Sequence, residues 1–399
     1  MNDTNEPSAI EEVEELEPEV EGEPLEVEET EGDEDAELYP GVAPPDRRLV
    51  TQPYDLSVGD LVSQVQDGSL TLNPVYQRRY VWDNKKASKL VESLLINVPI
   101  PVCYLAEEHD GSRATIDGQQ RLRSLYRFLG NEFPLRGLEV LNELNGKRFQ
   151  QLTERQQRLI KNRTIRCIVI SEDSDPEIRF DVFERLNTGS VALTAQELRN
   201  SVYRGPFNQL LHEIASSSFF LDCVGGRSDT RMAFEELILR FFALDDQLRE
   251  YRPSFKRFLN NYQRSHRHEE ASWLEAKRQR AEATFERVHA VFGDECFRRA
   301  RLLEDDTWEW FSSLNSAMYD VVMLNFARLD VSPKDLISQK DEIEQLTADL
   351  SLNHERFINA ISLATGDRTR VFDRVRIYAE VLSKRGLASG LEDLSPADE

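Results

Sequence analysis

Residues 116–129 read IDGQQRLRSLYRFL, in which a strand-like run passes through Asp-Gly directly into an amphipathic helix. The preceding residues 113–116 have strand character, and Gly118 gives the chain the freedom to turn sharply at the start of the helix. The apolar side chains from Leu122 to Leu129 recur at helical spacing, so they are expected to face a core. This stretch therefore predicts an α/β unit whose helix begins with polar residues on its other faces.

The start of this helix is a candidate anion site. The first amides of a helix have no partner within the helix, and the positive end of the helix dipole favours a phosphate there. Gln119 and Gln120 add polar side chains, and Arg121 adds a guanidinium fork. Asp117 would repel a phosphate unless a cation such as Mg²⁺, a proton or a ribose hydroxyl separates the two. The alternative is that Asp117 only caps the helix and the arginines are solvated.

The stretch NPVYQRRYVWDNKKASKLVESLL at 73–95 places aromatic and basic side chains next to one another. Tyr76 and Gln77 are candidates for contacts to a base or sugar, and Arg78 for closing over phosphates, because aromatic rings stack on bases and guanidinium groups hold phosphates. Asp83 fits as the N-cap of a following helix. The alternative is an aromatic core strand whose arginines extend to solvent.

A third stretch, FERLNTGSVALTAQELRNSVYRGPF at 183–207, combines a polar loop with a helix start. Thr194 and Glu197 form a capping-box pattern, which predicts a helix from residue 195. The loop before that helix can supply donors to the far wall of a binding site. Its candidate residues are Arg185, Asn187 and Thr188. The alternative is a plain connector between two helices.

Together, these stretches resemble the N-terminal domain of GmrSD-type restriction enzymes, a family placed with the ParB and sulfiredoxin-like folds. The resemblance spans roughly residues 50–210. It rests on four motifs in the same order: NPVYQRRYVW at 73–82, NVPIPVCYL at 97–105, IDGQQRL at 116–122 and FERLNTGSVALTAQELRN at 183–200.

The resemblance implies nucleotide handling in a prokaryotic defence setting. In ParB-like folds the corresponding Gly-x-x-Arg turn grips nucleotide phosphates, and this pattern falls here on Gly118 and Arg121. In GmrSD-like enzymes the Asp-Gly-Gln-Gln-Arg motif, here 117–121, is tied to nucleoside triphosphate hydrolysis. Asp117 and Arg121 are therefore the candidate catalytic residues, with a nucleoside triphosphate as ligand and Mg²⁺ as a candidate cofactor.

The chain departs from complete restriction enzymes of this type, which carry a second, His-Asn-His-like nuclease domain. Such a domain needs a histidine general base and metal ligands in a compact group. The six histidines are dispersed, and the close pair His266 and His268 lies in a charged helical region without a cysteine beside it. No metal site is predicted, DNA cleavage by this chain alone is not expected, and a separate nuclease subunit is a candidate partner.

Length and composition fit a soluble protein of two or three domains. The 399 residues are 40% hydrophobic, with no run typical of a membrane span and no basic-then-apolar start typical of a signal peptide. A cytoplasmic location without membrane contact is therefore expected. The four cysteines lie far apart in the sequence among apolar neighbours, which predicts buried, reduced thiols.

Most of the formal net charge of −24 comes from residues 1–46, which are rich in Asp and Glu and contain no Lys or Arg. Such a self-repelling segment is expected to be disordered. One interpretation is a solubilising extension. The other is a polyanion mimic that competes with DNA for an arginine-rich surface of the body.

Positive charge is concentrated at residues 227–267, in the second half of the chain. If these basic residues share a face, they could follow a nucleic-acid backbone. The alternative is that they pair with acidic residues close by in the sequence, such as Glu235, Glu236, Asp245, Asp246 and Glu250.

The predicted fold class is α/β, a ParB-like domain with a small mixed sheet, followed by an all-helical domain, because strand signals stop near residue 195. The predicted boundaries are a disordered acidic tail at 1–46, a ParB-like nucleotide-binding domain at 47–205, a helical domain at 206–385 and a flexible C-terminal tail at 386–399.

The sequence thus favours a nucleoside-triphosphate-binding sensor or regulatory protein of a restriction or anti-phage type, with hydrolysis as a further expectation. The alternative is a non-enzymatic DNA-binding or scaffold protein whose turn clamps a DNA phosphate. A nuclease acting through Asp117 and a metal is a third hypothesis, although it lacks the further carboxylates that a metal cluster needs. An oligomer is compatible with all three.

Overall fold

The computed structural model describes residues 27–28, 48–72, 82–108, 110–186, 193–226, 231–305, 307–311 and 313–395. Its first strand is β1 (Val27–Glu28). The strands that follow are β2 (Thr51–Ser57), β3 (Leu70–Thr71), β4 (Cys103–Glu107), β5 (Arg113–Asp117) and β6 (Thr164–Ile170). The helices of this part are α1 (Val58–Gln66), α2 (Asn84–Leu95), α3 (Gln119–Leu129), α4 (Glu154–Asn162), α5 (Pro176–Leu186) and α6 (Ala195–Val202).

Within the described residues, β2 to β6 form one mixed sheet in the order β2-β6-β4-β5-β3. The pairs β4–β6 and β3–β5 are parallel, whereas β2–β6 and β4–β5 are antiparallel. The register places Cys103 beside Cys167, and Tyr104 beside Asp117. The turn that follows Asp117 therefore lies next to the start of β4.

Side chains alternate between the two faces of this sheet, as the period of a strand requires. Cys103 and Leu105 belong to a core formed with α1, α2, α3 and α4. Ala106 belongs to a second core, which contains Phe180 of α5 and Leu198 of α6. Helices thus cover both faces of the sheet, which is typical of an α/β module.

The helix starts expected from the sequence are present. The Asp83 side chain accepts a hydrogen bond from the backbone amide of Lys86 at the start of α2. Thr194 and Glu197 form a reciprocal capping box at the start of α6. In both cases a side-chain oxygen satisfies an amide that the helix itself leaves without an acceptor.

The rest of the chain is dominated by helices: α7 (Pro206–Ala215), α8 (Ser218–Cys223), α9 (Ala233–Gln247), α10 (Phe255–His266), α11 (Ala271–Phe292), α12 (Ser316–Phe326), α13 (Pro333–Ile337), α14 (Lys340–Asn353), α15 (Glu355–Ser362) and α16 (Arg368–Ser383). They enclose a large apolar core. Three short strands lie among them: β7 (Ala300–Leu302), β8 (Trp308–Trp310) and β9 (Leu314–Asn315).

The predicted fold class, a mixed sheet followed by a helical part, is confirmed. The sequence did not predict the short ladders in the helical part, where β7 pairs with β8 and β9 pairs with β1. Strands of two or three residues carry too little periodicity to be recognised in a sequence. No described helix is long and apolar enough to cross a membrane.

The described part of the C-terminal segment is packed against the helical core. Leu387, Leu391 and Leu394 are each at least nine-tenths buried and belong to that core. The sequence predicts a flexible C-terminal tail at 386–399, after breaks at Gly386 and Gly390. Its leucines recur every three to four residues, which is the spacing that buries one side of a segment against a neighbour.

A buried ion triad joins three helices of the helical part. Asp320 of α12 accepts hydrogen bonds from Arg240 of α9 at 2.6 Å and from Arg374 of α16 at 2.7 Å, and the side chains of Asp320 and Arg374 are fully buried. The Arg240 guanidinium also lies 3.8 Å from the centre of the Phe255 ring. Because a buried charge is tolerated only when it is paired, these contacts fix the three helices to one another.

Candidate functional site

The candidate site lies where β5 passes into α3. β5 ends at Asp117, and α3 begins at Gln119. Between them Gly118 occupies the N-cap position with a φ of +98°, in the left-handed region that favours glycine. Glycine contributes no capping side chain, so the hypothesis that Asp117 is the helix cap is wrong. The N-terminal end of α3 is therefore formed without a side-chain cap.

A close contact below the turn gives a second reason for glycine at this position. A Cβ atom on residue 118 would lie 2.5 Å from Sγ of Cys103 and 3.4 Å from Nη2 of Arg121. Cys103 is the first residue of β4 and is fully buried. The turn therefore packs directly against β4, and a side chain at position 118 would push the turn away from the sheet.

Asp117 and Arg121 form an ion pair across the turn. Nη2 of Arg121 lies 2.6 Å from Oδ2 of Asp117, one helical turn earlier in the sequence. The Asp117 side chain is 47% exposed, whereas that of Arg121 is 12% exposed. The carboxylate thus faces solvent while its partner holds it from the protein side.

The Arg121 guanidinium also binds the chain that leads into β4. Nη1 donates to the backbone carbonyl of Pro101, and both Nη atoms lie 3.3 Å from the carbonyl oxygen of Val102. Arg121 therefore links α3, the end of β5 and the start of β4. Its role in holding a phosphate, predicted from the sequence, stays a prediction.

The aromatic and basic stretch ends beside this turn. The backbone amide of Trp82 donates to Oε1 of Gln120 at 3.3 Å, and Nζ of Lys86 lies 4.8 Å from the centre of the Trp82 ring. Gln120 and its neighbour Gln119 are both half-buried in the first turn of α3. Two of the predicted segments are thus brought together. Three of the predicted residues, Tyr76, Gln77 and Arg78, lie outside the described residues.

The third predicted segment is not brought to the turn by the described contacts. Arg185 is exposed in the last turn of α5, a helix that packs against α6. Among the described residues, no hydrogen bond or ion pair joins Arg185 to residues 117–121. Asn187 and Thr188 lie outside the described residues. Their assignment to the far wall of the site stays a prediction.

Sequence reasoning missed a buried polar network on α6. Nη1 of Arg199 donates to Oε1 of Gln196 at 2.7 Å and to Oε2 of Glu236 in α9 at 2.9 Å. Nδ2 of Asn200 lies 2.5 Å from Oε2 of Glu235, also in α9. The polar residues of TAQELRN thus attach the α/β part to the helical part. Their i, i+3 and i+4 spacing was the available signal, since it places them on one face.

The basic residues at 227–267 do not share one free surface. Arg240 is buried against Asp320, and Lys256 pairs with Glu184 of α5 at 2.6 Å. Arg231 lies 3.3 Å from Oε2 of Glu197. The structure therefore favours the hypothesis that these basic residues form ion pairs within the chain. The partners of these three residues, however, are distant in the sequence rather than close by.

The cysteine beneath the turn is neutral. A hydrogen bond with Cys167 and burial raise the pKa of the Cys103 thiol, although the guanidinium of Arg121 acts in the opposite direction. All four cysteines are buried and free, as the sequence predicted. Since a thiolate is the nucleophilic form, Cys103 acts here as packing below the site rather than as a nucleophile.

Comparison with known proteins places the turn inside a recognised domain. Residues 58–204 match the family described as GmrSD restriction endonuclease, N-terminal domain. No curated protein matches the chain. The matched segment runs from α1 through α6 and contains both Asp117 and Arg121. Residues 58–204, somewhat more than a third of the chain, are thus similar to the N-terminal domain of the GmrSD restriction endonucleases, a family of restriction type.

Proposed function

We propose that the matched domain binds a nucleoside triphosphate and hydrolyses it, and that the protein acts as a sensor or regulator in restriction-type defence. One observation carries the proposal. The half-exposed carboxylate of Asp117 is held by Arg121 at a left-handed glycine turn that opens a helix of eleven residues. A carboxylate fixed next to the positive end of a helix dipole suits the chemistry of a bound phosphate.

The phosphates would lie over the Gly118 turn. Residue 118 has no side chain, so a phosphate oxygen can approach the backbone at the start of α3 closely. Arg121 would contribute positive charge from below, through a guanidinium that already orients Asp117. The side chains of Gln119 and Gln120 in the first turn would add polar contacts to the same group.

Asp117 would hold Mg²⁺ or orient a water molecule. Mg²⁺ is bound in nucleotide sites by one or two carboxylates together with phosphates and water, and it neutralises phosphate charge. The donor set fits that pattern, because Asp117 offers an accessible carboxylate oxygen.

The base and sugar would lie toward the segment that ends at Trp82. The Trp82 amide donates a hydrogen bond to Gln120 in the first turn of α3. Tyr76, Gln77 and Arg78 are the proposed contacts to the base, the sugar and the phosphates. Arg185, Asn187 and Thr188 are the proposed far wall.

The test is nucleotide affinity together with phosphate release for Asp117→Asn and Arg121→Ala. Asp117→Asn should abolish phosphate release while leaving affinity within a few fold, because the amide keeps the shape but not the charge. Arg121→Ala should lose affinity. The matched control is Arg158→Gln, which removes an arginine from another i, i+4 ion pair on the exposed face of α4. Unchanged affinity and release in both variants would overturn the proposal.

The alternative is that the same turn clamps a DNA phosphate without hydrolysis. It is less well supported, because Arg240, Lys256 and Arg231 are engaged in ion pairs within the chain. A DNA clamp should lose affinity steeply with salt, whereas a nucleotide held at a helix end should be far less sensitive. DNA and a separate nuclease subunit are proposed partners of the whole protein.

A further inference from the structure

A second cationic cluster lies at the opposite end of the sheet from the Gly118 turn. β4 and β6 run parallel and end at Glu107 and Ile170, whereas β5 is antiparallel to β4 and ends at Asp117. The chain leaving β4 reaches Glu108, and the chain leaving β6 leads into α5. This end of the sheet is therefore separated from Asp117 by the length of β5, about 15 Å at the rise of a strand.

Arg179 of α5 is the central residue of this cluster. It is only 5% exposed, and its Nε atom has no hydrogen-bond partner. Its guanidinium carbon lies 6.0 Å from the centre of the Phe183 ring, and no described residue forms an ion pair with it. A buried guanidinium whose nearby carboxylates form no ion pair with it is unfavourable unless an anion completes its contacts.

The apolar packing around Arg179 brings two further arginines close to it. Phe180 stacks on Tyr203 with parallel rings whose centres are 6.2 Å apart, so the residues next to them, Arg179 and Arg204, meet at the same edge. The following residue, Gly205, packs directly against the backbone carbonyl of Arg267, at the end of α10.

The cluster opens to solvent through Arg204. Nη1 of Arg204 lies 3.3 Å from Oε1 of Glu108, and each of these two side chains is 24% exposed. Arg267 is half-buried. Arg204 and Arg267 are thus the parts of the cluster that solvent reaches, and Arg179 lies beneath them.

Charged groups of both signs act on Arg179. Burial lowers the pKa of Arg179, and Arg267 and Arg204 lower it further, while Glu108 and Glu172 raise it. An arginine nevertheless stays protonated in proteins. Of the two carboxylates that favour the charge of Arg179, Glu108 is already paired with Arg204. Since a guanidinium has five donors, Arg204 can keep this pair and still bind an anion.

We propose that Arg179, Arg204 and Arg267 form a second binding site for a phosphate group, carried by a small ligand. A buried arginine can be reached by inorganic phosphate or by the terminal phosphate of a nucleotide, whereas the phosphodiesters of a DNA duplex stay on the surface. The site goes beyond the proposed hydrolysis at Asp117. It joins the α/β part to α10, so its ligand stabilises the junction between the two parts of the chain.

The test is thermal unfolding of the full chain with increasing inorganic phosphate, against sodium chloride at equal ionic strength. The wild-type midpoint should rise with phosphate beyond the chloride control, because a ligand that binds only the folded state stabilises it. Arg267→Gln and Arg179→Met should lose at least two thirds of that rise. Arg158→Gln should keep it. No rise in the wild type, or an equal rise in both cluster variants, would overturn the proposal.

Arg179→Met also separates a binding role from a purely structural one. If the arginine awaits an anion, its replacement by an apolar side chain of similar length should leave the phosphate-free protein as stable as the wild type or more so. A clear loss of stability without phosphate would instead show that Arg179 supports the fold. Arg267→Gln changes a half-buried position and leaves the packing of Arg179 in place. Its phosphate response can therefore be measured without a change in that packing.

Two further arms distinguish the ligand and the site. ATP in place of phosphate should show whether a terminal phosphate is accepted, and Arg121→Ala should keep the part of the phosphate response that Arg267→Gln and Arg179→Met lose. If Arg121→Ala abolishes that response and Arg267→Gln does not, the second site is wrong and the Gly118 turn stands. If Arg267→Gln loses the phosphate response while neither the wild type nor any variant releases phosphate from ATP, the second site is supported and the proposed hydrolysis is wrong. Loss of duplex DNA binding alone in Arg267→Gln would overturn the small-ligand site.

Discussion

Cys103 occupies the space in which a side chain on Gly118 would begin, with Sγ 2.5 Å from the position of a Cβ atom. The residues are fifteen positions apart, and the antiparallel pairing of β4 with β5 brings them together. The conformation of the turn is thus fixed twice, by a φ of +98° and by the thiol beneath it. This relationship determines where the carboxylate of Asp117 stands relative to α3.

Gly118→Ala should destabilise the protein more than an alanine at another left-handed glycine. The matched control is Gly111→Ala, where φ is +78° and no heavy atom lies within 4 Å of the added Cβ. Left-handed backbone costs alanine about 1 kcal/mol at both positions. The clash with Cys103 should add about 2 kcal/mol at position 118 alone. Urea unfolding of both variants measures the difference.

The Cys103→Ala background tests the cause of that difference. Removing Sγ removes the atom that the new Cβ meets, so the additional loss at Gly118→Ala should shrink while the loss at Gly111→Ala stays the same. A loss at position 118 that is the same with and without the thiol would show that the backbone conformation alone requires glycine.

Asp320→Asn should lower the free energy of unfolding by about 3–5 kcal/mol, because two buried arginines would lose their counter-charge. Both Arg240 and Arg374 donate to Oδ2 of Asp320, and the side chains of Asp320 and Arg374 have no exposed area. The control is Glu309→Gln in the exposed pair with Arg301, where the change should stay within about 1 kcal/mol. Similar losses in both variants would contradict the assigned role of burial.

The pair of Asp55 and Arg166 should contribute stability that depends on pH. Nε and Nη2 of Arg166 lie 3.0 and 2.9 Å from the two carboxylate oxygens, across the ladder of β2 and β6. These hydrogen bonds and the charge of Arg166 hold the pKa of Asp55 below its ordinary value. The contribution is therefore present above about pH 4 and is lost as the pH falls through the lowered pKa.

Urea midpoints of the wild type and Asp55→Asn, measured at about pH 6 and about pH 3, check this sign. The wild type should be the more stable protein at the higher pH, and the gap should narrow at the lower pH. In an Arg166→Gln background the substitution should produce no gap at either pH. A gap that widens on acidification would mean that the carboxyl is bound in its neutral form.

The local features of the site could be predicted from the sequence because they depend on neighbouring residues. Gly118 between a strand and a helix, the cap at Asp83 and the capping box at Thr194 each follow from a pattern of a few residues. The ion pair of Asp117 with Arg121 is also local, since it joins residues one helical turn apart. The sequence nevertheless predicts Arg121 as a phosphate ligand, because it does not indicate that the carbonyls of Pro101 and Val102 accept hydrogen bonds from this guanidinium.

Contacts between distant segments could not be predicted in this way. Arg240 is separated from Asp320 by eighty residues, and Arg199 from Glu236 by thirty-seven. In the sequence both arginines look like members of charged helical faces. A polar side chain becomes a core residue only when a partner elsewhere satisfies it, and the choice of partner depends on how the helices pack. The cluster around Arg179 could not be predicted for the same reason, because its neighbours come from three separate segments of the chain.

Deleting residues 1–46 should tighten binding of duplex DNA at low salt. This segment is rich in Asp and Glu and has no basic residue, so under the hypothesis of a polyanion mimic it would repel DNA and compete for arginines of the body. Its described residues, Val27–Glu28, pair with Leu314–Asn315 in the helical part. The matched control replaces its Asp and Glu by Asn and Gln at equal length, and this variant should bind as tightly as the deletion.

Fluorescence anisotropy at about 50 mM and about 200 mM salt should show the gain in DNA affinity only at the lower concentration, because salt screens the repulsion. Equal affinities of all three proteins at low salt would rule out the competing tail.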